Sequence, residues 1–308
     1  MKLKNNFEEQ YINLLKEVMT DGKDHTDRTG VGRRSIYGAN LALDLSSFPI
    51  LQTKHVSFHN IKHELLWFLG NHLQSPLYNS LDNPHTNIKY LVDNNVNIWN
   101  EWPYQNYINK TKDQLSLKQF KEQIKDDYNF ANKWGNAGPI YGKQWRNYNG
   151  IDQIKDLIES LKENPFSTRH IVSSWNVSEI KDMLLPPCHN MFQFLVTPEK
   201  ELICIFNMRS TDVFLGLPYN ISSYALLTHI IAIECNLKPK GLIYNGSDVH
   251  IYHNHFDVVN TQISRYDKNV QNLTSVKIID FPMNMLTGED IKLLDYSPLG
   301  KLTAPVAI

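Results

Sequence analysis

Leu185-Pro186-Pro187-Cys188-His189-Asn190-Met191-Phe192-Gln193-Phe194 sets a cysteine behind two prolines, at the mouth of a run that alternates as a strand does. Proline fixes φ and removes a ladder donor, so Pro186 and Pro187 end what precedes them and leave Cys188 at a rigid element boundary. A second stretch follows, Asn207-Met208-Arg209-Ser210-Thr211-Asp212-Val213-Phe214-Leu215-Gly216-Leu217-Pro218-Tyr219-Asn220. Read together, they suggest a nucleophilic Cys188 that Arg209 helps to hold as thiolate beside an anionic substrate. Against this stands the ordinary behaviour of a free cysteine as a small buried hydrophobe. His189 is not its catalytic partner, because successive strand side chains point to opposite faces.

The strand run continues as a hairpin, residues 192–196 and 202–206, and residues 220–235 read as a long apolar helix. Beyond it, residues 241–249 are strand-like, 254–266 helical and 292–296 a short strand. Upstream, helices are expected over 7–19 (capped by Asn5 or Asn6), 57–69, 87–93 and 151–163. Strands are expected over 35–45 and 171–175. Residues 70–86 and 135–146 read as loops, and 109–133 as a charged, solvated helical excursion. Helices and strands mix without regular βαβ alternation, so the fold class is α+β, a single domain over 1–308 with a small helical insertion at about 103–134.

The chain has 308 residues, 42% hydrophobic and 20% charged, with a net charge of −1. That leaves no broad basic field for DNA or RNA. Three cysteines, Cys188, Cys204 and Cys235, form no paired framework or metal-type spacing, which fits a reducing compartment. The first residues lead into a polar helix, not an apolar signal region, and no run approaches the ~18 apolar residues of a membrane span. The expectation is a cytoplasmic protein without metal, DNA or membrane partners.

Other residues carry chemistry more weakly. Glu64 falls among Ile61, Leu65, Leu66, Phe68 and Leu69, where a carboxylate is costly unless paired and its pKa is raised. It either pairs with Lys62 or His63 or serves as an acid/base group. Arg28, in Asp27-Arg28-Thr29-Gly30, reads on turn chemistry as a solvated residue of a plain hairpin turn, or, with the pair Arg169-His170, as charge offered to a phosphate. Trp99 and Trp102 supply flat surface for stacking a ring, or simply core.

Taken together, Asp27-Arg28-Thr29-Gly30, Glu64-Leu65-Leu66-Trp67-Phe68-Leu69, Ile98-Trp99-Asn100-Glu101-Trp102, Tyr141-Gly142-Lys143-Gln144-Trp145-Arg146, Pro187-Cys188-His189, Arg209-Ser210, residues 212–220 and the Ala304-Pro305-Val306-Ala307-Ile308 end resemble the folate-dependent, cysteine-nucleophile thymidylate synthases. The resemblance runs from about residue 7 to the end. It implies a large mixed sheet that dimerises, with deoxyuridine monophosphate (dUMP) and 5,10-methylenetetrahydrofolate as substrates and no metal. By position it implies a nucleophilic Cys188, Glu64 and Tyr141 as proton-handling groups, and Asn220 reading the uracil edge. The phosphate falls to Arg28, Arg209 and Ser210, with Arg169 and His170 reaching across from the other subunit. Thr211, Asp212, His250, Ile251 and Tyr252 join the dUMP contacts. Ser57, Trp99, Trp102, Asp212, Leu215, Gly216 and Ala307 lie on the folate side.

Three positions depart from the family pattern. His170 stands where a second arginine is typical, Asn100 where an aspartate is common, and Met208 where a glutamine precedes the arginine. Asn207-Met208-Arg209-Ser210 is similar to deoxycytidylate hydroxymethylases, so a deoxyuridylate hydroxymethylase is the alternative. Asn220 argues against a cytosine substrate. A non-catalytic nucleotide-binding relative is a third reading, disfavoured by Cys188, Glu64, Tyr141 and Asn220 occurring together.

Overall fold

The computed structural model describes residues 2–26, 30–267, 273–279 and 282–306. The first helix, α1 (Phe7–Asp21), buries Phe7, Tyr11, Leu14, Leu15 and Val18 at helical spacing. Asn6 sits at its N-cap without capping it; the amide donates instead to Glu9. β1 (Lys23–His25) and β2 (Arg33–Asp44) follow, then α2 (Phe58–Leu69). Ser57 caps α2 by accepting from the Asn60 N–H, and Gly70 ends it at φ 77°, a left-handed turn that suits glycine. Residues 70–86, expected as loop, hold a 3₁₀ turn and the short α3 (Pro76–Asn79).

α4 (Lys89–Asp93), α5 (Glu101–Thr111), α6 (Leu117–Asp126) and α7 (Tyr128–Trp134) come next. A reciprocal Ser116–Gln119 capping box starts α6. The expectation of a purely solvated excursion is corrected here: Tyr107, Phe120, Ile124 and Ala131 are buried and pack with Phe130 and Trp134. The 135–146 loop is also corrected, since it contains α8 (Tyr141–Arg146). Gly138, at φ 82°, and Pro139 read locally as turn, whereas Tyr141 and Trp145 are pulled into the core. The short helix forms because tertiary burial overrides local propensity.

After α9 (Gln153–Glu163) come β3 (Ile171–Ser173), β4 (His189–Val196) and β5 (Glu201–Asp212). α10 (Leu217–Glu234), β6 (Lys238–Tyr252), α11 (Phe256–Ser264), β7 (Ser275–Ile278) and β8 (Ile291–Leu294) complete the order. Six strands form one mixed sheet in the order β1-β2-β6-β5-β4-β3. β5 and β6 pair in parallel, and α10 carries the chain between them. β7 and β8 pair separately.

Alternation decides which sheet face is covered. Leu202, Cys204, Phe206 and Met208 of β5, Phe192 and Phe194 of β4, and Leu242 and Tyr244 of β6 are buried with α1, α2 and α10. The residues between them, Ile203, Ile205, Ile243, Leu195 and Met191, remain half-buried on the opposite face. α10 is apolar nearly all round, as a helix enclosed by protein must be.

Candidate active site

Cys188 immediately precedes β4, and two contacts hold its backbone. Its N–H donates to the Tyr141 hydroxyl at 2.7 Å, and its carbonyl accepts from the Arg209 N–H at 2.9 Å. The Arg209 guanidinium donates from Nε to the Pro187 carbonyl at 2.9 Å and from Nη2 to the Pro186 carbonyl at 2.8 Å. It also stands 5.6 Å over the Trp175 ring. Arg209 thus clamps the carbonyls of the proline pair, and this brings its positive charge to the loop that presents Cys188. A cavity of about 330 Å³ opens beside it, lined by Ser173, Trp175, Asn190, Met191 and Arg209.

Tyr141 is the point of convergence. Burial raises its hydroxyl pKa well above the ordinary range; the nearby Cys188 and Glu64 add to this, and the Cys188 N–H and Arg209 oppose it. Because that hydroxyl accepts from Cys188, its own proton is left to donate elsewhere. His189 stacks on the Tyr141 ring at 4.0 Å and pairs through Nδ1 with the Tyr224 hydroxyl at 2.8 Å. Burial pushes His189 down to about 3, so it is neutral and supports the site as a fixed ring.

Glu64, on α2, has neither Lys62 nor His63 as partner. Lys62 donates to the Gly288 carbonyl, and His63 pairs with the Tyr90 hydroxyl. The Glu64 carboxylate accepts instead from Trp99 Nε1 at 2.6 Å. Burial raises it to about 7, against the lowering effect of that hydrogen bond. Trp99 holds this position from a left-handed backbone, φ 73°, which is strained for a bulky aromatic. Its ring lies 5.3 Å from Trp102 and 5.7 Å from Tyr141.

The turn into α10 is built by Asp212, whose Oδ1 accepts from the Phe214 and Leu215 N–H groups at 2.9 and 3.0 Å. Gly216 follows, and Asn220 places its Oδ1 3.7 Å from where a Gly216 Cβ would stand. His250 pairs through Nδ1 with Asp248 at 3.0 Å, which fixes the ring and leaves Nε2 for another partner. Burial opposes ionisation of Asp248, but His250 and Arg33 outweigh it and hold the carboxyl below its usual range. Ser210 and Tyr252 are half-buried in the same region of β5 and β6.

Other expectations fare differently. Thr211 and Ile251 are wholly buried, and Thr211 takes the Tyr244 hydroxyl at 2.8 Å. Their side chains lie in the core. Arg169 is exposed, but His170 is 1% exposed inside its own protomer, with both ring nitrogens unpartnered. Arg28 and Ala307 lie outside the described residues. The segment before Ala307 is anchored, since His255 pairs with the Pro305 carbonyl at 2.8 Å. Among the described residues no cluster of three or more His, Cys, Asp or Glu suits a metal, and no helix is long and apolar enough to cross a membrane.

Sequence reasoning missed Lys54. It is buried, donates to the Phe214 carbonyl, and stands 3.8 Å over the Phe214 ring. Burial lowers its pKa to about 7, with Asp212 and Glu8 opposing. The available signal was a lone charge in the otherwise uncharged stretch between Asp44 and His55.

The family model for thymidylate synthase matches residues 9–308. The thymidylate synthase of Phytoplasma mali is 46% identical over 97% of this chain and 99% of its own. Those of Mesoplasma florum, 44% over 97% and 99%, and Mycoplasma pneumoniae, 42% over 97% and 100%, are similarly close. Fold and comparisons together define a methyltransferase acting on a pyrimidine nucleotide. The chain belongs to the thymidylate synthase family, whose reaction is the methylation of dUMP to dTMP. The co-substrate is 5,10-methylenetetrahydrofolate, which leaves as dihydrofolate.

Proposed function

We propose that Cys188 is the nucleophile of this reaction and adds to uracil C6. Uracil C5 is a poor nucleophile, and thiolate addition at C6 makes it an enolate-like carbon able to take up the methylene group. The observation that carries this reading is the convergence of Tyr141 and Arg209 on the Cys188 loop, with Glu64 near enough to Tyr141 to raise its pKa. Glu64, protonated near neutrality, exchanges protons at O4 through water, and Tyr141 helps remove the C5 proton. Asn220 offers both amide donor and acceptor to N3–H and O4. His250 and Tyr252 take the deoxyribose hydroxyl.

The folate supplies a one-carbon unit and a hydride. Trp99 and Trp102, their rings 5.3 Å apart, offer flat surface for its fused ring, and Leu215 and Gly216 join the folate contacts. Ser57 and Asp212 shape the same side by capping α2 and ordering the α10 turn. Ala307 joins the folate contacts. Arg28, Arg209 and Ser210 take the phosphate, with Arg169 of the partner subunit in a homodimer. His170, beside Arg169 just before β3, joins it at that phosphate. The half-buried Ile203, Ile205, Ile243 and Leu195 on the uncovered sheet face support dimerisation there. Residues 103–134 act as a helical insertion on a single domain, and the protein works in the cytoplasm.

The test is product analysis with dUMP and methylenetetrahydrofolate, together with trapping by 5-fluoro-dUMP. Wild type is expected to form dTMP, dihydrofolate and a covalent adduct. Cys188→Ala is expected to lose the adduct and about 10⁴-fold or more of turnover. A wild type that forms no adduct would overturn the nucleophile. Mainly 5-hydroxymethyl-dUMP, without dihydrofolate, would point to the hydroxymethylase instead.

A further inference from the structure

Tyr141 opens α8, a helix of six residues. A helix that short does not hold itself, because nucleation costs more than its few internal hydrogen bonds return. What fixes Tyr141 is therefore what α8 is tied to, and several ties run to the segment from Ser173 to Glu179. Trp145 Nε1 donates to Ser174 Oγ at 2.8 Å, and Gln153 Nε2 bridges the Gln144 and Ser173 carbonyls, each at 2.8 Å. The remaining tie is a closed ring of side chains. Gln144, wholly buried, donates from Nε2 to Glu179 Oε2 at 2.7 Å and to the Pro139 carbonyl at 2.6 Å. Its Oε1 accepts from Asn176 Nδ2 at 3.1 Å, and Asn176 Nδ2 also donates to Glu179 Oε2 at 3.0 Å.

Pro139 lies two residues before Tyr141 and Gln144 three after, so the ring grips α8 on both sides of the tyrosine. Glu179 is its charged member, and hydrogen bonds to a charged acceptor are the stronger kind. From Glu179 the chain leads on to the nucleophile. The Leu184 N–H donates to the Ala137 carbonyl at 3.2 Å, and Arg209, which clamps Pro186 and Pro187, stands over Trp175 of the same segment. One segment thus braces Tyr141 at one end and the Cys188 loop at the other.

We propose that Glu179 is a positioning residue for loss of the C5 proton, acting through Gln144 to keep the Tyr141 hydroxyl in place beside Cys188. This rests on the reading of Tyr141 given above. The consequence is selective. Thiolate addition at C6 and methylene transfer come before the C5–H bond breaks, and Cys188 keeps its Arg209 contacts without Glu179. A displaced Tyr141 therefore slows the later step and spares the earlier ones. In 5-fluoro-dUMP a fluorine stands where that proton would leave, so its adduct reports the earlier steps alone.

Glu179→Ala strands a buried amide hydrogen of Gln144. Tritium release from dUMP labelled at C5 is expected to slow about 10²-fold, the cost of a displacement of about 1 Å in a reacting group. The 5-fluoro-dUMP adduct is expected at wild-type yield, with KM for dUMP within about twofold. Glu179→Gln keeps a carbonyl acceptor for Gln144 and is expected to recover most of the lost rate. Wild-type tritium release in Glu179→Ala, a parallel loss of adduct and release, or no recovery in Glu179→Gln would each overturn the proposal. Should Glu179→Ala fail to fold, Glu179→Asp keeps the charge but withdraws it from Gln144 by one methylene. It is expected to show the same split in milder form, and wild-type release would overturn the proposal. Tyr141→Phe separates the two readings. If it releases tritium as wild type does, the role of Tyr141 falls and that of Glu179 with it; if it is slow while Glu179→Ala is not, only the role of Glu179 falls.

Discussion

Glu64 holds its proton up to about pH 7 because α2 turns it inward, and among the described residues Trp99 alone hydrogen-bonds to it. Its ordinary value is 4.5 and its value in the fold about 7. Between these the folded chain binds a proton that the unfolded chain has lost. Stability from this group is therefore fully present below about pH 4.5 and is lost as pH rises through about 7. Glu64→Gln removes that loss. The variant is expected to gain on wild type in urea midpoint at pH 8 but not at pH 4.5. Its turnover should fall by about 10²–10⁴-fold, and the inflection near pH 7 should vanish from its pH–rate profile. An inflection that survives the substitution would assign it to another group. The residue's exceptional position was legible in the sequence, since a carboxylate among Ile61, Leu65 and Phe68 stood out. Its partner was not, because Trp99 lies 35 positions along the chain.

At the scale of elements, α5, α6 and α7 show what patterning hides. Their composition is dominated by Lys, Asp, Gln and Asn, so they read as a solvated face. Yet Phe120 is fully buried, 5.5 Å from Tyr107 and 5.6 Å from Phe130. A few aromatics suffice for a small core because each buries a large apolar area. Phe120→Ala is expected to destabilise the fold by about 3–5 kcal/mol in urea unfolding. An effect near zero would mean that the three helices stand by local propensity alone. The strands of the hairpin and the helix after Gly216 were readable directly, because period-two alternation and a continuous apolar run are local signals. α8 was not, since its glycines signalled a turn. Gly142 instead lets α8 approach Phe68, where an added Cβ would meet the His85 carbonyl at 2.6 Å.

Across the whole molecule, burial lowers five histidines: His63, His72, His85 and His229 to about 4, and His189 to about 3. Each stays neutral in the fold below the pH at which the unfolded chain takes up a proton, about 6.5. The stability they allow is present above that pH and is lost as pH falls from about 6.5 toward 4. The five act together, and Glu64 and Glu8, both raised by burial, act with the opposite sign. Calorimetry is expected to show Tm falling by roughly 5 °C or more between pH 7 and 5, with net proton uptake on unfolding. A flat Tm over that range would mean that these rings are not held neutral.

The sequence by itself determined the local elements and the family motifs they carry. Cys188 behind its prolines, the alternating strands and the apolar helix after Gly216 are properties of neighbouring residues. Tertiary structure alone decided that β5 and β6 run parallel, that Arg209 grips the proline carbonyls, and that His170 turns inward while Arg169 faces out. It also tied Glu179 to Gln144 of α8. Such contacts depend on which distant surfaces bury one another, and no periodicity within a segment encodes that.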